Sequence, residues 1–106
     1  MRHVSKDGLF WLEQVDTENV ILGLTKNAIN KYGCLHVFIP RMLMGNVAKN
    51  QILASIEGSK ALAPLVSPVT GKLTGVNTEL AETPFNIGPN DMLFQMSGVD
   101  WKESFV

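Results

Sequence analysis

Turn signals recur along this chain roughly every 8 to 12 residues, and the windows between them leave room for one short helix and otherwise only for strands. LFWLEQV (9–15) and VILGL (20–24) are short aromatic or β-branched runs separated by the polar DTEN (16–19), a good hairpin connection. TKNAINKYG (25–33) has Thr25 as N-cap, Ala28, Ile29 and Tyr32 on one helical face, and Gly33 as the stop, which predicts one short helix near residues 26–32. CLHVFIP (34–40) reads as a strand ended by Pro40. RMLMGNVAKN (41–50) reads as a loop with a strand-like centre, and Asn50 suits a left-handed turn.

QILASIE (51–57) alternates, which puts Ile52, Ala54 and Ile56 on one face and Leu53, Ser55 and Glu57 on the other. GSKA (58–61) makes a turn and LAPLV (62–66) returns, with Pro64 confining that strand to an edge or a bulge. Ser67 to Gly71 turn again and KLTGV (72–76) is a further strand. A long polar connection (77–91) follows, then the last strand MLFQM (92–96) and a C-terminal tail (97–106). Gly45-Asn46-Val47 and Gly71-Lys72-Leu73 echo each other faintly, as a barrel or sandwich of two similar halves would allow. The pattern predicts a single all-β domain over residues 1–106, built as a small barrel or sandwich.

Charge and composition narrow the partners. Nine Lys+Arg against ten Asp+Glu, with no basic run, argue against nucleic acid, whose phosphates need a basic face. Every apolar stretch is far shorter than the ~18 residues that span a bilayer, so no membrane role is expected. MRHVSKDGLFWLEQ has no long apolar segment of the signal-peptide kind, and the single cysteine, Cys34, cannot form an internal disulfide. A cytoplasmic location is the expectation.

Enzymatic constellations are hard to assemble from these residues. Cys34 and His36 share one strand face, but with His3 the only other histidine they fall short of a tetrahedral metal site, so no metal is expected. Side chains two apart on a strand are roughly 7 Å apart, too far for direct Cys–His proton transfer. Packing in the core or on a strand face is the better reading of both. Thr70-Gly71-Lys72 resembles the end of a phosphate-binding loop, but Val66 stands where its first glycine belongs. No catalytic residue is assigned.

Lys60 is different. An exposed turn lysine is ordinarily solubility decoration. A carrier lysine, however, must stand clear of the body and be held rigidly, and a tight turn between paired strands meets both needs. Gly58 and Ser59 beside it are expected to leave its ammonium unshielded.

The chain resembles the glycine cleavage system H protein family over most of its length. Trp11-Leu12 match the family's His-x-Trp-Leu, with Leu9 in place of the histidine. Gly23-Leu24-Thr25, Ala28, Tyr32 and Gly33 follow its Gly-Ile-Thr-x-x-Ala-x-x-x-Leu-Gly without a gap. Glu57-Gly58-Ser59-Lys60-Ala61 stand at the lipoylation motif Glu-Ser-Val-Lys-Ala. Pro68-Val69-Thr70-Gly71 keep the spacing of its Pro-Val-Ser-Gly, and Val76-Asn77, Leu80 and Pro84 follow in order.

The resemblance implies a lipoyl/biotinyl-type barrel-sandwich hybrid of two small antiparallel sheets. It implies lipoate in amide linkage on Lys60, with Glu57, Gly58, Ser59 and Ala61 as the flanking recognition residues. Ser59 and Ala61, where biotin carriers prefer methionine, point away from biotin. A carrier of this kind catalyses nothing itself; its implied partners are a lipoate-protein ligase and dihydrolipoyl dehydrogenase. A working H protein also shuttles aminomethyl between glycine decarboxylase and aminomethyltransferase. Here Pro89-Asn90-Asp91-Met92 is shorter than the family's stretch before the last strand, Gly88 replaces an asparagine, and Lys26 stands where the family has an aspartate. These departures resemble a short H-like branch. That branch implies a sirtuin-type ADP-ribosyltransferase and a macrodomain hydrolase as partners, which act reversibly on the lipoylated carrier in oxidative stress. An unmodified interaction domain is the alternative from another class.

Overall fold

The computed structural model describes residues 2–101. Nine strands form, β1 (Arg2–Val4), β2 (Phe10–Gln14), β3 (Asn19–Leu24), β4 (Leu35–Pro40), β5 (Gly45–Val47), β6 (Ile52–Gly58), β7 (Leu62–Val66), β8 (Gly71–Val76) and β9 (Phe94–Ser97). The short helices α1 (Lys26–Tyr32) and α2 (Thr78–Glu82) accompany them, with a 3-10 turn at Pro84–Asn86. The strands make two antiparallel sheets, one in the order β1-β2-β3-β9-β8-β5 and the other β4-β6-β7.

Apolar side chains decide how the sheets close. Phe10, Leu12, Leu22, Leu73, Phe94 and Met96 from the large sheet meet Phe38, Leu53, Ile56 and Leu65 from the small one in a single buried cluster. Phe94 sits at the junction, with its ring 6.4 Å from Phe10 of its own sheet and 5.9 Å from Phe38 of the other. Those offsets suit tilted aromatic pairs. The β2–β3 hairpin is closed by Asp16, whose Oδ1 accepts from the backbone N–H of Glu18 and Asn19, both at 2.8 Å. With the Asn19 side-chain amide as the largest contribution, these bonds hold its carboxyl below the usual value.

Most of the strand pattern matches its expectation, and the exceptions have physical causes. Pro64 lies in β7, an edge strand of the small sheet. Asn50 takes φ 74° at the turn assigned to it. The two echoed tripeptides are neighbours, since Gly45 pairs with Leu73, Asn46 with Lys72 and Val47 with Gly71.

The alternation expected for β6 fails at Leu53. The register shifts between Ile52 and Ala54, so Leu53 is a bulged extra residue and turns inward. Leu53 and Ala54 are both buried while Ile52 is exposed.

The connection over 77–91 is not all loop. Asn77 Oδ1 caps α2 by accepting from Leu80 N at 3.1 Å, and Pro84 opens the 3-10 turn. The last strand starts at Phe94 rather than at 92. β1 is a strand the pattern did not reveal, held by Arg2, whose guanidinium lies 3.8 Å from the Trp11 ring centroid and pairs with Glu13 at 3.4 Å. Of the tail expected over 97–106, Ser97 ends β9 and Val99 and Trp101 pack against the core. Its last five residues, 102–106, lie outside the described residues.

Candidate functional site

The β6–β7 hairpin puts Ser59 and Lys60 at its tip, closed by a bond from Gly58 N to the Ala61 carbonyl at 2.8 Å. The tip does not stand alone. It rests on the end of α1, whose last-turn carbonyls have no helical partner of their own. α1 begins at Thr25, whose Oγ1 accepts from Ala28 N at 3.1 Å and donates to the Gly8 carbonyl at 2.5 Å. It stops at Gly33, where φ is 78° and Gly33 N donates to the Ile29 carbonyl at 2.8 Å.

Four hydrogen bonds join this helix end to the hairpin tip. Lys60 N donates to the Tyr32 carbonyl at 3.0 Å and Ser59 N to the Cys34 carbonyl at 2.9 Å. Cys34 N returns a bond to Ser59 Oγ at 3.1 Å. Lys60 Nζ donates to the Asn30 carbonyl at 3.1 Å, the favoured place for a cation at a helix C-terminus.

Two glycines make the approach possible. A Cβ on Gly58 would lie 2.1 Å from the Tyr32 carbonyl oxygen, and one on Gly33 would lie 2.2 Å from Ser59 Oγ and 3.1 Å from Lys60 Cγ. Any larger residue at either position would push the tip off the helix.

The five residues singled out around Lys60 fall together on this hairpin. Glu57, Ser59 and Lys60 are exposed, Gly58 is half-buried, and Ala61 packs its methyl against the core. Their roles differ in part from expectation. Gly58 serves the close contact with Tyr32, and Ser59 ties the turn to Cys34. The bare ammonium rests on Asn30 rather than standing clear. Asn30, Tyr32, Gly33 and Cys34 were not foreseen as neighbours of the lysine, because a contact across about 30 positions leaves no local pattern. Cys34 is an exposed free thiol just before β4 and His36 is exposed on β4, so of the core or strand-face reading only the strand face holds, and only for His36. Among the described residues, no three His, Cys, Asp or Glu side chains gather to hold a metal ion. No helix among them is long and apolar enough to cross a membrane.

Two small antiparallel sheets over one core, with a lysine at the tip of a hairpin in the smaller one, define a barrel-sandwich hybrid of the lipoyl/biotinyl type. The family model for the glycine cleavage H-protein matches residues 1–93, and the chain belongs to that family. It is 36% identical over 78 residues to a glycine cleavage system H protein of Acidobacterium capsulatum, covering 73% of this chain and 59% of that one. It is 33% identical over 79 residues to a glycine cleavage system H-like protein of Chlamydia pneumoniae, covering 73% of this chain and 67% of that one. The crystal structure of a glycine cleavage system H protein from Mycobacterium marinum superposes with a TM-score of 0.77 at 21% identity, covering 90% of this chain and 81% of that one, a likeness of fold. The matched region spans 59% of the length of the Acidobacterium capsulatum relative and 50% of that of a glycine cleavage system H protein of Koribacter versatilis. Glycine cleavage H proteins carry lipoate covalently on a lysine.

The residues at the tip fit such a group. Lys60 is exposed, and its amine is held by a main-chain carbonyl at the surface, that of Asn30. An amide N–H at Nζ could keep that bond to Asn30 while losing the charge.

Proposed function

We propose that this protein is a lipoyl carrier with Lys60 as its attachment point, and that it catalyses no reaction itself. The observation that carries this reading is the clamp from Tyr32 and Cys34, which fixes the backbone of Lys60 while leaving its side chain at the surface. Attachment forms one amide bond between Nζ and the carboxyl carbon of an activated lipoyl group; the ammonium first loses one proton to give the free amine, and the amine loses a second as the activating group leaves. Once bound, the dithiolane supplies thiol–disulfide exchange. The chain's own part is to set the root of the arm. Gly33 and Gly58 admit the close packing, and Ser59 prevents the turn from lifting away.

A lipoate-protein ligase loads the arm and dihydrolipoyl dehydrogenase reoxidises it, in the cytoplasm. Within this reading we favour the H-like branch, in which a sirtuin-type ADP-ribosyltransferase and a macrodomain hydrolase modify the loaded carrier reversibly. The relative from Chlamydia pneumoniae that is itself named H-like, and the short 88–93 segment before β9, support it. A working carrier between glycine decarboxylase and aminomethyltransferase is the alternative.

The test has two stages. Lys60→Arg is expected to take no lipoyl group from a ligase while keeping the melting temperature of the unaltered chain. The lipoylated chain is then offered NAD and the sirtuin-type enzyme, or glycine and glycine decarboxylase. Gain of an ADP-ribose mass supports the H-like branch. Glycine-dependent release of carbon dioxide, without that gain, replaces it with glycine cleavage.

A further inference from the structure

The outer face of the small sheet carries apolar residues on β4 and β7, on either side of Ser55 and Glu57 of β6, where a solvated sheet face ordinarily carries polar residues throughout. Register places Val37, Glu57 and Leu62 on one rung across β4, β6 and β7, and Ile39, Ser55 and Pro64 on the next. These six residues line a trough of about 340 Å³. Leu62 is 73% exposed and Ile39 45%. Arg41 is tied to the far rung, its Nε donating to Ser55 Oγ at 2.9 Å. The near rung adjoins the turn that carries Lys60.

We propose that this face is the docking surface for the enzyme that acylates Lys60, with Leu62 and Ile39 as its apolar anchors and Glu57 facing a cationic group on the enzyme. The proposal rests on the carrier reading above. An enzyme that forms an amide at Nζ must cover the hairpin tip, but four residues (58–61) fall well short of the ~800 Å² per partner that a specific complex buries. One flank of the tip must supply the rest. The α1 flank offers Lys26, Asn27, Asn30 and Lys31, all exposed. Interface centres are depleted in lysine and rich in apolar side chains, which selects the sheet face. A second copy fits it poorly, because a two-fold pairing through the trough would bring Glu57 of both copies together near its centre.

The experiment measures steady-state acylation of the full chain by a lipoate-protein ligase with lipoate and ATP, the chain being the varied substrate. Leu62→Glu and Ile39→Glu are expected to raise KM about tenfold or more, the scale of interface hot spots, with kcat held within about twofold. Glu57→Gln raises KM less and flattens its dependence on salt. Lys31→Glu, on the other flank, leaves KM unchanged. All four positions are exposed, and thermal melts establish that the variants fold.

KM unmoved in Leu62→Glu and Ile39→Glu overturns the proposal, as does a rise confined to Lys31→Glu. Shifts of the Ile39 and Leu62 methyl resonances when the isolated chain is acylated would give the trough to the acyl arm and overturn it too. A concentration-dependent dimer abolished by Leu62→Glu would give it to a second copy, with the same consequence. Failure of the unaltered chain to be acylated removes the carrier reading itself, which separates that failure from failure of the docking face.

Discussion

Ser59 and Cys34 exchange two hydrogen bonds across the gap between the hairpin tip and the start of β4: Ser59 N to the Cys34 carbonyl at 2.9 Å, and Cys34 N to Ser59 Oγ at 3.1 Å. The second depends on the side chain. Ser59→Ala is expected to cost about 0.5–1.5 kcal/mol, the net worth of one such bond, toward the low end because the freed amide meets water. Urea denaturation reads the stability loss, and hydrogen exchange should show the Cys34 amide losing protection while the β6 amides keep theirs.

Gly33 is the other half of the contact. Its φ of 78° is a conformation that side chains resist, and its missing Cβ makes room for Ser59 Oγ. Gly33→Ala should cost about 1–3 kcal/mol through backbone strain, with a further loss from the collision with Ser59. Adding Ser59→Gly should recover the steric part alone. A double-mutant cycle of melting temperatures is therefore expected to be non-additive, and additive values would deny the coupling.

Leu53 tests the bulge. It is fully buried although strict alternation along β6 would send it outward with Ser55 and Glu57. Leu53→Ala should destabilise by about 2–5 kcal/mol, as core truncations do, whereas Ile52→Ala should change stability by less than about 1 kcal/mol. The reverse order would restore unbroken alternation.

Tyr32 gives a pH signature. Burial first, and the charge of Asp7 second, raise its phenol above the usual 10.0. The folded state therefore keeps a proton that the unfolded chain releases. Its contribution to stability is full below pH 10.0 and is lost as the pH rises from there through the folded value. Tyr32→Phe should flatten this alkaline decline in thermal melts and leave the profile near neutrality unshaped by it. An unchanged alkaline slope would contradict the assignment.

The parts of this fold that the sequence made legible are those with local causes. Thr25 and Gly33 bound α1, Pro64 sends β7 to an edge, Asn50 takes its left-handed turn, and the β6–β7 hairpin lies where its alternation and its turn place it. The departures have non-local causes. β1 is three exposed residues whose strand form depends on pairing with β2, where Arg2 also reaches Trp11 and Glu13. The bulge at Leu53 depends on the partner strand. α2 had a local cue in Asn77, three residues before Leu80, but five residues are too few for an apolar period to show. Residues 57–61, Lys60 among them, lie together at one hairpin tip, where the alternation and the turn signal placed them. The ledge beneath them, from Asn30 to Cys34, was not legible, since no spacing reports which helix end a hairpin tip will meet.

The most direct test of the carrier reading is the mass of the full chain before and after incubation with a lipoate-protein ligase, lipoate and ATP, with fragmentation across residues 51–72. The account predicts the gain of one lipoyl group, located on Lys60 and absent from Lys60→Arg. A chain that stays bare, or that takes the group on another lysine, would contradict it.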